Sequence, residues 1–420
     1  MNISGVGSVP LLPFRTVLRY VAAGLLGWLA AAGMFLYAMP DLARGDYRTP
    51  VVLALVHLVV LGWATMLAQG AMYQLIPVAF QVGIRHDRLA VFNHWIYTAG
   101  VAGFVVSFAS YWVSGLRTFG GIAMFAVLLF AFNIVRSMMR VKSRNPMFWF
   151  VISAVLYLAL TALLGISQLL MIGMGIGLKF YPAIFTIHIW AGLIGWFTML
   201  IIGFTYKLFP MFTLSHGFSE RRQTLILFLL HGAIGATAMG ALTNSEWVQA
   251  AGLAVFLAGI LLFGVDVADI YKHRMRGKLE LPMAMAVVAI VWLAGLVLAI
   301  LTVRWLGSGF GSRLITALGL AFFLGWLSQT IMGYLYKIVP FLIWNERYAD
   351  KVGRQPVPML KDMVNEKITG VVAVLYNAGL ATALAGIGMG VAAAVYGGFG
   401  LLAVAVAVFV SQMVKVIVPI

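Results

Sequence analysis

The sequence of 420 residues contains no cysteine. Disulfide bonds, thiolate metal sites and iron–sulfur clusters are therefore excluded, and a bound metal must take its ligands from His, Met or oxygen atoms. Charged residues are also scarce, at 10% of the chain, and only 12 acidic residues stand against 28 basic ones. The apolar segments contain no paired carboxylates with the spacing of a proton relay, and the Walker, Rossmann, nucleophile-elbow and His-Glu-x-x-His patterns are missing. These absences disfavour the common nucleotide-binding and hydrolase classes.

Apolar residues dominate what is present, at 63% of the sequence. Runs of about 20 apolar residues follow one another along the whole chain, which is the length that spans a bilayer as a helix. The first run is long enough to span and lacks a small-residue cleavage site after it, so we expect it to be retained. The sequence predicts an all-α polytopic membrane protein with twelve spans, near residues 15–40, 50–80, 91–114, 118–138, 146–173, 182–212, 222–243, 248–268, 283–303, 310–342, 367–391 and 395–418.

Basic residues concentrate in the connections that follow spans 2, 4, 6, 8 and 10, and the opposite connections carry few. By the positive-inside rule we expect these loops to be cytoplasmic. Both termini then lie on the cytoplasmic side of a prokaryotic cell membrane. The net charge of +16 thus reflects topology in a lipid bilayer, and we expect no nucleic-acid partner.

One motif occurs three times. The pattern Gly-Trp-x6-Gly-x2-Tyr-x3-Pro begins at Gly62, Gly195 and Gly325, with offsets of 133 and 130 residues between copies. A period of this length predicts internal repeats at about 1–145, 146–280 and 281–420 within one transmembrane domain. Each repeat holds four helices, an even number, so the copies enter the membrane in the same direction. We therefore predict three four-helix arcs with pseudo-three-fold symmetry about the membrane normal, in which the motif glycines allow close approach of a neighbouring helix.

Three intramembrane histidines are the candidate site residues, because an ionisable side chain inside a membrane is costly and commonly functional. His57 lies five residues before Gly62 and His188 seven residues before Gly195, so both are about 10 Å below the outer edge at 1.5 Å per residue. Their azimuths differ, and we expect them to face different cavities. His231 in span 7 lies at a depth that permits a shared site with His188. The alternative is that each ring is simply bonded to a neighbouring helix.

Other polar residues of the spans receive structural interpretations. Gln69 and Gln329 lie near the motif stripe and are predicted to form interhelical hydrogen bonds. Asp266 and Asp269 lie near the cytoplasmic end of span 8, where we expect local charge pairing. His94 lies near the inner edge and is a weaker ligand candidate.

The arrangement of twelve helices in three arcs, with histidines on spans 2, 6 and 7, resembles subunit I of the haem-copper oxidase superfamily, in particular its nitric oxide reductase branch. The run from Gly70 to Pro77, after His57, is similar to that family's second helix, and Ile187-His188-Ile189-Trp190 is similar to its sixth. The resemblance implies His57, His188 and His231 as cofactor-binding residues, with His57 on a haem of b type, and His188 and His231 on a metal. It further implies copper as a second cofactor, a small gaseous ligand and an electron-donor protein.

The chain also departs from that family. Span 10 carries no His, span 7 carries one His where the family has two, and the glutamates of the reductases are missing. The usual two-haem, one-metal site cannot be assembled without them, so activity as an oxidoreductase is left open. The divergent NnrS family of haem- and copper-binding membrane proteins is a nearer comparison, through Pro10-x2-Pro13-Phe14-Arg15. The expected function is haem binding in redox or nitric-oxide-related chemistry or in cofactor handling. The alternatives are a transporter or permease on the same scaffold, and a structural membrane subunit.

Overall fold

The computed structural model describes residues 12–216, 219–275, 277–307 and 309–418, so Pro10 lies outside the described residues. Within these ranges the chain is helical and has no strand, and twelve helices are long and apolar enough to cross a membrane. The predicted all-α, twelve-span fold is confirmed. The helices are α1 (Phe14–Arg44), α2 (Pro50–Phe80), α3 (Asp87–Ala109), α4 (Val113–Met138), α5 (Pro146–Met174), α6 (Leu178–Thr213), α7 (Glu220–Leu242), α8 (Glu246–Lys272), α9 (Leu281–Trp305), α10 (Ser312–Lys351), α11 (Glu366–Met389) and α12 (Ala392–Ile417).

Several helix ends follow from local sequence. Before α2, Thr49 accepts a hydrogen bond from the Val52 amide at 3.3 Å, and a proline occupies the first helical position. Asn145 caps α5 in the same way, through the Phe148 amide at 3.1 Å, again before a proline. An N-cap side chain satisfies a free amide of the first turn, and a proline at that position loses no hydrogen bond. These caps explain why both helices begin where the apolar runs begin.

Each motif helix contains a π-helical segment of eight residues at the same register. The segments are Leu58–Thr65 in α2, Ala191–Thr198 in α6 and Ala321–Ser328 in α10, so each begins four residues before the motif glycine. A π-helix is rare and occurs mostly as short bulges, often at functional sites. Its recurrence at three equivalent places makes it a property of the repeated unit.

The motif glycines lie where the preceding helix comes closest, as predicted. A Cβ atom on Gly195 would meet the Tyr157 ring of α5 at 2.4 Å, and one on Gly325 would meet the Trp292 ring of α9 at 2.8 Å. In the first repeat the contact is between backbones, because a Cβ on Gly27 of α1 would lie 2.3 Å from the Gly62 carbonyl oxygen. Larger residues at these glycines would force the helices apart.

The motif tryptophans join successive repeats. Trp196 donates its Nε1–H to Thr65 Oγ1 at 3.1 Å, and Trp326 donates to Thr198 Oγ1 at 3.2 Å. The third interface differs: in the part of the chain that the structure describes, Trp63 Nε1 is buried without a hydrogen-bond partner, and Ser328 Oγ, also buried, lies beside the Tyr376 hydroxyl. The three hydroxyl residues occupy one position, three residues after the motif glycine. Two of the three possible links between motif helices are therefore formed.

The contacts between the other helices also recur from repeat to repeat. α4 packs on α5, α8 on α9, and α12 on α1, while α3 pairs with α4, α7 with α8 and α11 with α12. The last helix thus contacts the first, as a closed arrangement of repeats requires. The three arcs and their symmetry about the membrane normal remain a prediction, which these repeated neighbours support.

Candidate functional site

The half of α6 that the predicted topology places toward the outside is loosely packed. Among the ten residues Tyr181–Trp190 only Ala183 is buried, whereas seven of the eight residues of the following π-segment are buried. The facing stretch of α5, residues 159–167, likewise contains no buried residue. These halves of α5 and α6 are therefore partly accessible, and His188 lies in the accessible half of α6.

His57, the last residue before the first π-segment, has one ring nitrogen bonded and one open. Its Nδ1 lies 2.7 Å from the Leu53 carbonyl oxygen, one turn earlier in α2. Because a carbonyl oxygen only accepts, Nδ1 must carry the proton and Nε2 must carry the lone pair. The ring stacks on Phe108 with centroids 4.8 Å apart and meets the edge of Phe104 at 5.3 Å. Within the described ranges no hydrogen bond uses Nε2, so this nitrogen can accept a ligand.

His188 has the same arrangement on a different helix. Its Nδ1 lies 2.9 Å from the Thr161 carbonyl oxygen of α5, which again assigns the lone pair to Nε2. A Cβ atom on Gly165 would lie 3.1 Å from His188 Cε1, so this glycine makes room for the ring. The open Nε2 atoms of His57 and His188 thus belong to two different helices, α2 and α6, and the placement of the two rings in different cavities stays a prediction.

His231 differs because both of its ring nitrogens are bonded to hydroxyl groups of α5. Nδ1 lies 2.9 Å from Tyr157 Oη, and Nε2 lies 3.1 Å from Ser153 Oγ. The third repeat has a similar link, in which Trp292 of α9 donates to Asn377 Oδ1 of α11 at 3.0 Å. Tyr157 and Trp292 are also the rings that cover the motif glycines. These contacts favour an interhelical hydrogen bond for His231.

The predicted metal site of His188 and His231 gains no further ligand. In the described ranges, no three His, Asp or Glu side chains are placed to hold a metal ion. Copper and zinc normally need three or four protein ligands, of which these two rings could supply two. The assignment of a metal to His188 and His231 stays a prediction, and the bonding of His231 weighs against it.

Charge pairing of Asp266 and Asp269 is confirmed, but its main partner lies on a neighbouring helix, and the expected local pairing is limited to His273 beside Asp269 at 3.3 Å. Arg222 of α7 forms an ion pair with each carboxylate, and Asp266, which is 1% exposed, also accepts a hydrogen bond from the motif residue Tyr206 at 2.9 Å. The interhelical bonds predicted for the two glutamines are formed as well. Gln69 accepts from Asn93 at 2.9 Å, and Gln329 donates to the Met285 carbonyl oxygen at 3.2 Å.

The hydroxyl residues that receive the tryptophan bonds are absent from the sequence-based set of site residues. Aligning the three motif copies would have shown them, because Thr65, Thr198 and Ser328 all follow the motif glycine by three residues. Their role depends on which helices are adjacent, and a single helix does not reveal its neighbour.

The chain matches no family model, and no curated protein resembles it at a significant level. Its functional assignment therefore depends on its own residues and on the motif resemblance given above.

Proposed function

We propose that the chain is an integral membrane protein that binds haem b through His57, and that it is a divergent relative of subunit I of the haem-copper oxidases and nitric oxide reductases. The observation that carries this proposal is the state of the two outer histidines. His57 and His188 each direct Nδ1 at a backbone carbonyl and leave Nε2 open. A ligating histidine commonly has this second bond, which fixes its tautomer and its orientation.

The residues fit haem iron better than they fit copper. Haem iron takes one or two axial ligands from the protein, and a single imidazole is enough to hold it. The aromatic rings of Phe104 and Phe108 beside His57 provide the apolar surroundings that a macrocycle requires. Copper would need a third and a fourth ligand, so copper is not part of the proposal.

His188 is the candidate for the second axial ligand, because its Nε2 is also open and the sequence places both histidines at the same depth in the membrane. It would take the place of the span 10 histidine that the chain lacks. A bound haem would supply one-electron transfer or the binding of a small gaseous molecule, which is the chemistry that we assign to this protein. The protein's own part is to orient both imidazoles through the carbonyl groups of Leu53 and Thr161.

A transporter or permease is the second candidate. The observation in its favour is the accessibility of α5 and α6 around His188, since a loosely packed helix pair inside a membrane can admit a polar substrate. In this case the open Nε2 atoms would bind the substrate directly, and the purified protein would contain no haem.

Histidine variants test the ligand assignment. His57→Ala and His188→Ala, purified from haem-replete cells, are compared with His216→Ala, which removes an exposed loop histidine. We expect His57→Ala to lose most of the bound haem, and His188→Ala to retain haem with an altered Soret position. His216→Ala should match the wild type. A His57→Ala protein with wild-type haem content and spectrum would refute the assignment.

A further inference from the structure

A group of five buried polar residues lies in the first repeat, away from the histidines discussed above. We name it the inner polar cluster: Tyr20 of α1, Gln69 and Tyr73 of α2, and Asn93 and His94 of α3. Each is at most 5% exposed. Tyr20 and Asn93 are both six residues from the predicted cytoplasmic start of their helices, so the cluster lies about 9 Å inside that boundary at 1.5 Å per residue.

The cluster is held together by few hydrogen bonds. Tyr20 donates its hydroxyl to the Ala90 carbonyl oxygen at 2.8 Å, and Asn93 donates to Gln69 Oε1 at 2.9 Å. The Tyr20 ring meets His94 at a centroid distance of 4.9 Å and Tyr73 at 5.5 Å. The five side chains therefore form one contiguous group across three helices.

Four polar atoms of this group lack a well-formed hydrogen bond. Gln69 Nε2, Asn93 Oδ1 and His94 Nδ1 are buried with no hydrogen bond to any residue that the structure describes, and Tyr73 Oη is buried beside the side chains of Tyr20 and Asn133 without a hydrogen bond of normal geometry. Leaving one buried polar group unsatisfied costs about 1–3 kcal/mol, so four such groups at one place would be a large penalty. Native structures usually meet such groups with ordered water.

The other repeats show that the scaffold does not need polar residues at the positions of Gln69 and Asn93. The motif register places Ile202 and Met332 where the first repeat has Gln69. The hydrogen bond of a tyrosine aligns α3 with α11. Tyr97, four residues after Asn93, donates to the carbonyl oxygen of Leu61, and Leu61 lies two residues before the motif tryptophan. Tyr376 makes the same bond to Leu324, which aligns Val372 with Asn93.

The first helix of each repeat shows the same change from a polar to an apolar residue. Tyr20 covers the second motif glycine of the first repeat, Gly70, whereas Phe150 covers Gly203 in the second. Apolar side chains thus fill this place elsewhere in the same protein, with complete burial of Val372 and Phe150. Packing therefore does not explain the polar side chains of Tyr20, Gln69 and Asn93, whereas Tyr73 belongs to the motif and recurs in every repeat.

We propose that the inner polar cluster is a binding site for ordered water inside the membrane. The four unpaired atoms comprise a donor on Gln69, an acceptor on Asn93, and two groups, on Tyr73 and His94, that can do either. Exchanging O and N on both amides again leaves one donor and one acceptor. Water both donates and accepts. A cation would find no carboxylate within the cluster, and an anion would meet the Asn93 oxygen.

X-ray radiolytic labelling in H₂¹⁸O tests this, because hydroxyl radicals form from water bound next to a side chain. We expect Tyr73 to be labelled severalfold more than the equivalent Tyr206 and Tyr336, although these are slightly more exposed, at 5% and 2% against 0%. In the double variant Gln69→Ile/Asn93→Ile, which carries apolar residues at both positions as the third repeat does with Met332 and Val372, labelling of Tyr73 should fall to the level of the other two.

Labelling of wild-type Tyr73 at or below the level of Tyr206 and Tyr336 would overturn the proposal and show a dry cluster. This comparison lies within one protein, so it decides the question even if the double variant does not fold. Undiminished labelling of Tyr73 in a folded double variant would also overturn it, since the water would then not depend on the cluster.

Discussion

The two tryptophan bonds between motif helices permit a quantitative prediction. Thr65→Val keeps the shape of the side chain and removes the hydroxyl that accepts from Trp196, leaving a buried indole N–H unpaired. Such a loss costs about 1–3 kcal/mol in soluble proteins, whereas interhelical bonds within a bilayer average about 0.6 and reach about 1.7 kcal/mol. We expect Thr65→Val to lower the free energy of unfolding by about 1 kcal/mol.

Ser328→Ala is the matched control, because Ser328 holds the equivalent position and accepts no tryptophan bond, while its contact with the Tyr376 hydroxyl corresponds to that of Thr65 with Tyr97. Its effect should be smaller than that of Thr65→Val, because no indole N–H loses its acceptor. The assay is reversible unfolding by sodium dodecyl sulfate in mixed micelles. An equal or larger loss for Ser328→Ala than for Thr65→Val would refute the reasoning that these bonds join the repeats.

Three further predictions follow from other contacts. Asp266→Ala should destabilise the protein by about 1.5–3 kcal/mol in the same unfolding assay, because Tyr206 and Arg222 both lose a charged partner; an unchanged midpoint would show that the pair contributes nothing. His231→Asn, which installs the residue type of Asn377, should leave haem content unchanged, and a loss of haem without unfolding would restore His231 as a ligand. In an experimental structure, the three segments of about 130 residues should superpose by rotation about one axis normal to the membrane, and an inverted or two-fold relation would contradict the repeat assignment.

The sequence predicts the helices of this protein well, because span length and apolar composition are properties of each segment alone. The predicted second span, residues 50–80, coincides with Pro50–Phe80, where a threonine cap and a proline mark its start. The π-segments were not predicted. Hydrophobic pattern does not distinguish i→i+5 from i→i+4 bonding when nearly every residue is apolar, as in Leu58–Thr65.

This omission affects the histidines directly. The azimuths of His57 and His188 were derived at 100° per residue, but a π-segment begins one residue after His57 and three after His188. A π-turn contains more residues than an α-turn, so the angle to the motif glycine changes. The α-helical angles therefore do not determine which way the two rings face. The partners of His231 on α5 also required knowledge of which helices are neighbours.

The inner polar cluster could not be predicted from the sequence for the same reason, because it depends on which helices are neighbours. Gln69 was assigned to an interhelical hydrogen bond, and it forms one with Asn93. The sequence did not indicate that Tyr20, Tyr73 and His94 join this pair, because they lie on three helices whose register is set by tertiary packing. Comparison of equivalent positions in the three repeats identifies the cluster once that register is known.

Haem content of the purified wild-type protein tests the central claim most directly. The protein is expressed with added haem precursor, purified in mild detergent, and assayed for haem per chain by the pyridine haemochrome method, together with its Soret absorbance. A stoichiometric amount of haem b, with a Soret band that copurifies with the folded protein, is the predicted result. Folded, monodisperse protein with no Soret band under these conditions would contradict the proposal and leave the transporter as the function to pursue.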